Sequence, residues 1–178
     1  KMVCPLHGLV LKKQIPNLIE KYSLWASYQP EIKSALVVYS SVYGGTQNAA
    51  DIVSSKLAQN GVKNIKTFDI SHSDSSRVLS EAFKYSHIVL ATTTYNMGIF
   101  ESMENLLHAL SAHNVQNKKV ALIQNGSWAP ACGGLMKTIV EGWKNTEIID
   151  SSVCIKSALK EEQLDELECL ADKIVSSM

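Results

Sequence analysis

No run of apolar residues in this chain approaches the roughly 20 that a membrane-spanning helix needs, which leaves a membrane without an anchor in it. The opening, KMVCPLHGLV, lacks the basic-then-apolar order of a secretory signal. Charge of one sign is not in excess either. The 17 basic residues are matched by 17 acidic ones, giving a formal net charge of zero. That removes the general electrostatic case for nucleic acid or an anionic membrane surface as partner. Cysteine is scarce and scattered: Cys4, Cys132, Cys154 and Cys169 include no CxxC pair. A disulfide framework and a zinc ribbon are excluded, and four unpaired thiols suit a reducing cytoplasm. Apolar residues are not lacking, and at 46% of the chain they can build a sizeable core, so disorder is excluded. The 178 residues leave room for one domain and a short appendage.

From Ser34 onward, short apolar runs alternate with amphipathic stretches. Ala35 to Tyr39 is uncharged, β-branched and aromatic, as a strand covered on both faces should be. A helix is expected from Thr46 to Gln59, ended by Asn60-Gly61. A more polar strand follows from Val62 to Ile70. Asp74 is placed to cap a helix with Val78, Leu79, Ala82 and Phe83 on its inner face. His87 to Thr93 reads as the third strand, and Ile99, Met103, Leu106 and Leu110 recur at helical spacing after it. Lys119 to Gln124 is the fourth strand, followed by a helical stripe of Leu135, Ile139, Val140 and Trp143. Glu147 to Ile155 is the fifth strand, and a last helix runs from Lys160 to Ser176. Five strands alternating with helices predict a doubly wound parallel α/β sheet with helices on both faces. Residues 1–32 differ: Pro5, Gly8, Pro16 and Pro30 punctuate them, and only Leu18 to Tyr28 offers a helix of useful length.

Ligands of such sheets bind beyond the carboxyl ends of the strands. After the first strand comes Ser40-Ser41-Val42-Tyr43-Gly44-Gly45-Thr46, running directly into a helix. Its glycines let the backbone curl round a ligand, its hydroxyls donate, and the helix start adds unpaired N–H groups and partial positive charge. Together these suit a phosphate. After the third strand comes Thr92-Thr93-Thr94-Tyr95-Asn96-Met97-Gly98, with a flat ring at Tyr95 and turn-forming residues at Asn96 and Gly98. After the fourth comes Asn125-Gly126-Ser127-Trp128-Ala129-Pro130-Ala131-Cys132-Gly133-Gly134, with a second ring and many backbone amides. Neither of these two loops contains Lys, Arg, Asp or Glu. They predict an aromatic ligand held by stacking and main-chain bonds, with its phosphate on the first loop.

Competing phosphate chemistries fail on residue type. A P-loop needs Gly-Lys-Ser/Thr, and no lysine occurs between Lys33 and Lys56. No GxGxxG occurs either. A phospho-receiver needs aspartates where this chain has Ser40, Ser41 and Thr92 to Thr94.

With these loops in view, the chain resembles flavodoxin, and specifically the C-terminal flavodoxin domain of flavodiiron proteins. The resemblance rests on VVYSSVYGGTQNAA from Val37, ATTTYNMGIF from Ala91 and NGSWAPACGG from Asn125. It implies a five-stranded sheet of order 2-1-3-4-5 and a bound flavin mononucleotide (FMN). The implied FMN contacts on the first loop are Ser40, Ser41, Val42, Tyr43, Gly44, Gly45 and Thr46. On the second they are Thr93, Thr94, Tyr95, Asn96, Met97 and Gly98, and on the third Asn125, Gly126, Ser127, Trp128, Cys132 and Gly133. Cys4-Pro5-Leu6-His7-Gly8, with Tyr22 to Trp25 and Tyr28 to Glu31, is similar to the closing stretch of that family's metallo-β-lactamase-like domain. The likeness divides the chain into 1–32, the tail of that domain plus a linker helix, and 33–178, the FMN domain. It makes His7 an iron ligand of a diiron centre in the intact protein only, because no HxExDH run or other ligand set is present here.

The resemblance further implies an electron-transfer domain of an oxidoreductase that reduces dioxygen or nitric oxide. The implied donor is rubredoxin or a flavin reductase, the parent a head-to-tail homodimer. Two departures stand out: flavodoxins are usually acidic and this chain is neutral, and Trp128 precedes a proline where the family usually has Gly-Ser-Tyr-Gly-Trp. Two other functions remain open at this stage. One is an NAD(P)H-dependent FMN quinone reductase on the same fold, and the other is an interaction module that has lost its flavin.

Overall fold

The computed structural model describes residues 1–149 and 153–178. Its first regular element is α1 (Ile15–Ala26), a helix with Pro16 in its first turn and no fully buried residue. Before it, Val3 and Leu11 form an isolated antiparallel bridge that closes a loop around His7. The alternating part begins with β1 (Ile32–Tyr39) and α2 (Gly45–Gln59). Then come β2 (Lys66–Asp69), α3 (Ser75–Lys84), β3 (Tyr85–Tyr95), β4 (Gly98–Ile99) and α4 (Glu101–Ala112). The chain ends with β5 (Lys119–Asn125), α5 (Cys132–Glu141), β6 (Glu147–Ile148), β7 (Val153–Ile155) and α6 (Glu162–Ser176).

The parallel sheet runs β2-β1-β3-β5-β6, with β7 also paired to β5. The architecture is flavodoxin-like, and two details of the expected strands differ. The fifth strand comes as two short pieces; the expected strand also included 150–152, which lie outside the described residues. And β3 overruns its expected end to fold back on β4, pairing Tyr95 with Gly98 and Thr94 with Ile99. Ile99 therefore belongs to this hairpin and not to the helical stripe in which its spacing placed it.

The strand period of two sorts the core into halves. Leu36, Val38, Ile88, Leu90, Val120 and Leu122 face α3, α4 and α5. Ala35, Val37, Val89, Ala91, Ala121 and Ile123 face α2 and α6, where they meet Ala49, Val53, Leu57, Leu167, Leu170 and Ile174. Alanines on that second face leave little depth between sheet and helices. Each fully buried Leu there contributes roughly 1.5–3 kcal/mol. On α5 the inner face is Cys132, Met136 and Val140, while Leu135, expected inward, is exposed.

Local chemistry fixes the helix ends. Asp74 caps α3 as its position predicts, its carboxylate accepting from the Ser76 N–H at 2.8 Å. The other end of α3 is held by Lys118, whose buried ammonium donates to the carbonyls of Phe83 and Tyr85 at 2.9 and 2.7 Å. Burial lowers the Lys118 pKa to about 8. Its neighbour Asn117 donates to the Tyr28 carbonyl at 3.0 Å, tying the segment after α1 to the sheet domain.

Candidate functional site

The carboxyl ends of β1, β3, β5 and β7 open on a cleft of about 430 Å³. That volume lies in the range of small-molecule and cofactor sites, roughly 300–1,000 Å³. The β1–α2 turn contributes Ser41, Val42, Tyr43, Gly45 and Thr46 to its wall; β3 contributes Thr93, Thr94 and Tyr95. Asn125 and Ser127 complete the expected part. Among the described residues no Lys, Arg, Asp or Glu lines it, so an anion here depends on N–H and hydroxyl donors.

Among the helices that begin at this end of the sheet, α2 and α5 follow directly from the loops after β1 and β5, and they differ. At α5, the Thr94 hydroxyl oxygen accepts from the N–H groups of Ala131 and Cys132 at 3.0 and 3.2 Å. Gln124 Oε1 accepts from Gly133 at 3.1 Å. Those orphan donors are thereby satisfied within the protein. At α2 the N-cap is Gly44, held at φ +86 with no side-chain cap bond. The Gly44 N–H donates to Ser41 Oγ at 3.0 Å, and the first helical bond is Asn48 N–H to the Gly44 carbonyl. Gly45, Thr46 and Gln47 are left with backbone donors that have no protein partner among the described residues. Unpaired N–H groups and the positive end of the helix dipole meet in one turn.

The remaining loop residues divide by role. Ser40 turns inward, its hydroxyl 2.6 Å from that of Thr92, and joins β1 to β3 instead of lining the cleft. Cys132 is also turned away: its thiol is fully buried and reaches toward the carbonyls of Thr92 and Asn125. Burial pushes that thiol's pKa up. Gly133 spends its N–H on Gln124, and Gly126 donates to the Ile155 carbonyl. At the hairpin tip the left-handed positions are Asn96 (φ +48) and Met97 (φ +62), not Asn96 and Gly98. Two residues with φ > 0 joining antiparallel strands form a type I′ turn. Tyr43 (98% exposed), Trp128 (97%) and Tyr95 (55%) stand at the surface. Tyr95 alone of the three has an aromatic neighbour, Phe100, edge-on at 5.8 Å.

A fourth wall went unread in the sequence: Ser157, Ala158 and Leu159, between β7 and α6, line the same cleft, as does Asn48. The rule that ligands sit beyond strand ends applies to the fifth strand too. Lys156-Ser157-Ala158-Leu159 carries neither glycine nor aromatic ring to mark it.

His7 is exposed in the loop closed by Val3 and Leu11. Among the described residues no three His, Cys, Asp or Glu side chains gather into a metal-binding group. The described residues do not fit a diiron centre. No helix among the described residues is long and apolar enough to cross a membrane.

Against known proteins, the family model described as Flavodoxin matches residues 37–146. The nitric oxide reductase of Moorella thermoacetica is 27% identical over 148 residues, 83% of this chain and 36% of that protein. Rubredoxin oxygen:oxidoreductase from Desulfovibrio gigas superposes with a TM-score of 0.90 at 18% identity, covering 99% of this chain and 44% of that one. A Streptococcus pneumonia TIGR4 flavodoxin superposes at 0.70 with 21% identity, over 81% of this chain and 99% of its own. The chain thus spans less than half the length of the curated relatives it matches over most of its sequence.

Proposed function

This chain belongs to the flavodoxin family, and from that membership we propose that it binds FMN non-covalently in the cleft and relays electrons. The observation that carries the reading is the open start of α2 beside the satisfied start of α5. A phosphate on the donors of Gly45, Thr46 and Gln47 would satisfy the one helix end left unpaired in the cleft. When bound, the flavin supplies reversible electron transfer. The chain's own groups hold and tune it. The Ser41 and Thr46 hydroxyls and the amides of Val42, Tyr43, Gly45 and Thr46 serve the phosphate end, the Gly44 amide being taken by Ser41. Tyr95 and Trp128 flank the ring, and the Asn96–Gly98 backbone borders it. An uncharged wall disfavours added negative charge on the ring, which lowers its potential.

The names of the longer relatives, a nitric oxide reductase and a rubredoxin oxygen:oxidoreductase, support a destination for this relay. In the reading proposed here, residues 1–32 close a metallo-β-lactamase-like domain and 33–178 form the FMN domain. His7 is an iron ligand only once the rest of that domain is present. Electrons arrive from rubredoxin or a flavin reductase and leave toward a diiron site that reduces dioxygen or nitric oxide. The intact protein works in the cytoplasm as a head-to-tail homodimer, and this chain by itself performs neither reduction.

The test is a visible spectrum of the purified protein, repeated after adding FMN and desalting. Flavin bands retained through desalting are expected. A colourless protein that rejects added FMN overturns the reading. Steady NAD(P)H oxidation by a quinone would instead identify a quinone reductase.

A further inference from the structure

The β7–α6 loop is locked to the start of α2 by one side chain. Asn125 ends β5 and is 5% exposed. Its Oδ1 accepts from the Ser157 N–H at 3.0 Å, and its Nδ2 donates to the Ser157 carbonyl at 3.0 Å. The same Nδ2 donates to Thr46 Oγ1 at 3.2 Å. A primary amide has two N–H donors and one carbonyl oxygen, so these bonds consume both donors and occupy the acceptor. Asn125 therefore has little left to offer a ligand directly.

What it holds matters more. Ser157 sits at φ +66, a left-handed conformation unfavourable for a residue with a side chain. The paired backbone bonds from Asn125 fix it there. In that position its carbonyl oxygen lies against Gly45, the first residue of α2. Thr46, accepting from the amide, keeps its own hydroxyl hydrogen for donation into the cleft. Ser157 Oγ further donates to Ser127 Oγ at 3.0 Å, joining the third loop to the fourth. The open helix start thus takes its position from Asn125 and not from a cap.

We propose that Asn125 is the positioning residue of the phosphate-binding turn, its side chain setting, through Ser157 and Thr46, how tightly the phosphate of a bound flavin is held. This rests on the FMN reading above. Of the residues that would meet the ring, Tyr95 and its neighbours are held by the β3–β4 pairing and not by the Asn125 side chain, while Trp128 touches the clamp only through its neighbour Ser127. Loss of the clamp therefore falls chiefly on the phosphate.

Dissociation constants for FMN and for riboflavin, read by quenching of flavin fluorescence, test this in the wild type, Asn125→Ala and Ser157→Ala. Thermal melts accompany each. In Asn125→Ala the FMN constant is expected to rise about tenfold or more, equivalent to about 1.4 kcal/mol. The riboflavin constant should stay within about threefold, so the ratio of the two constants changes; a general loosening of the fold would weaken both alike. Ser157→Ala keeps the backbone clamp and should keep the ratio. Equal weakening of both flavins, or no change in either, overturns the proposal while leaving FMN binding intact. A wild type that binds neither flavin overturns the FMN reading and this inference with it. Should Asn125→Ala not fold, Asn125→Thr, which suits a strand but cannot span both Ser157 and Thr46, gives the same comparison.

Discussion

The carbonyl oxygen of Ser157 occupies the space in which a side chain on Gly45 would have to begin. The nearest alternative room is closed by Asn125 Nδ2, 3.1 Å from that same point. Gly45→Ala must therefore push two backbones apart, and we expect it to cost about 1–3 kcal/mol in urea unfolding. Gly44→Ala is the useful contrast. Nothing lies within 4 Å of a Cβ there, but φ is +86, so only the backbone conformation is penalised, by about 1 kcal/mol. A larger loss at Gly44 than at Gly45 would contradict the close approach.

Trp128→Ala separates surface display from packing. A ring exposed over 97% of its area contributes almost nothing to the fold, and the variant should unfold within about 0.5 kcal/mol of the wild type. If the ring stacks on a bound flavin, FMN affinity falls roughly three- to tenfold, matching the 0.5–1.5 kcal/mol of an aromatic pair. An unchanged FMN titration would remove Trp128 from the site.

His87 makes stability depend on pH. It is buried at the start of β3 between Ser86 Oγ (2.8 Å) and Ser177 Oγ (3.0 Å). Desolvation chiefly, then Lys119, lowers its pKa from 6.5 to about 4, with the Ser177 hydrogen bond opposing, Lys33 adding to the lowering and Glu147 opposing least. The unfolded chain takes up a proton below about 6.5 while the folded one resists until about 4. Stability from this group is thus complete above the unfolded value and is lost as pH falls through that window. The loss should be roughly 2–3 kcal/mol. Urea unfolding of the wild type and His87→Gln at pH 7 and pH 4.5 reads it, and the gap between the two should narrow at the lower pH. A gap that stays constant would show that His87 protonates alike in both states.

Met97→Gly tests the hairpin tip. Met97 is an exposed side chain at φ +62, a conformation costing roughly 1–2 kcal/mol for a residue with a Cβ. Glycine removes that cost but adds freedom to the unfolded chain, leaving a net gain of about 0.5–1 kcal/mol in a thermal melt. Destabilisation would show that the Met97 side chain has a packing role.

Much of the fold could be read from period and composition, because both faces of the sheet are covered. Strands such as Ala35 to Tyr39 had to be uninterrupted and apolar, and helices α2 and α6 had to carry one apolar stripe. Where tertiary context decided, the reading slipped. Ile99 fits a helical period, yet its backbone pairs with Thr94. Val62 to Ile70 has the look of a long strand, but only Lys66–Asp69 finds β1 as a partner. At the cleft, glycines and rings marked the loops after β1, β3 and β5. The loop after β7 carries no such mark, and its place depends on bonds from Asn125 across 32 residues of sequence. Ser40 and Cys132 show the converse: a hydroxyl in the first loop, and for Cys132 the family resemblance, pointed to ligand contacts, and hydrogen bonds to Thr92 and neighbouring carbonyls turned both inward.

The sheet's margins bear on how copies of this chain could associate. One border is β2, four residues long. So short a border offers few free backbone groups in line to template an added strand from another molecule. Association across that border would rest on side chains of the flanking helices and loops, which point mutations can tune without disturbing the sheet.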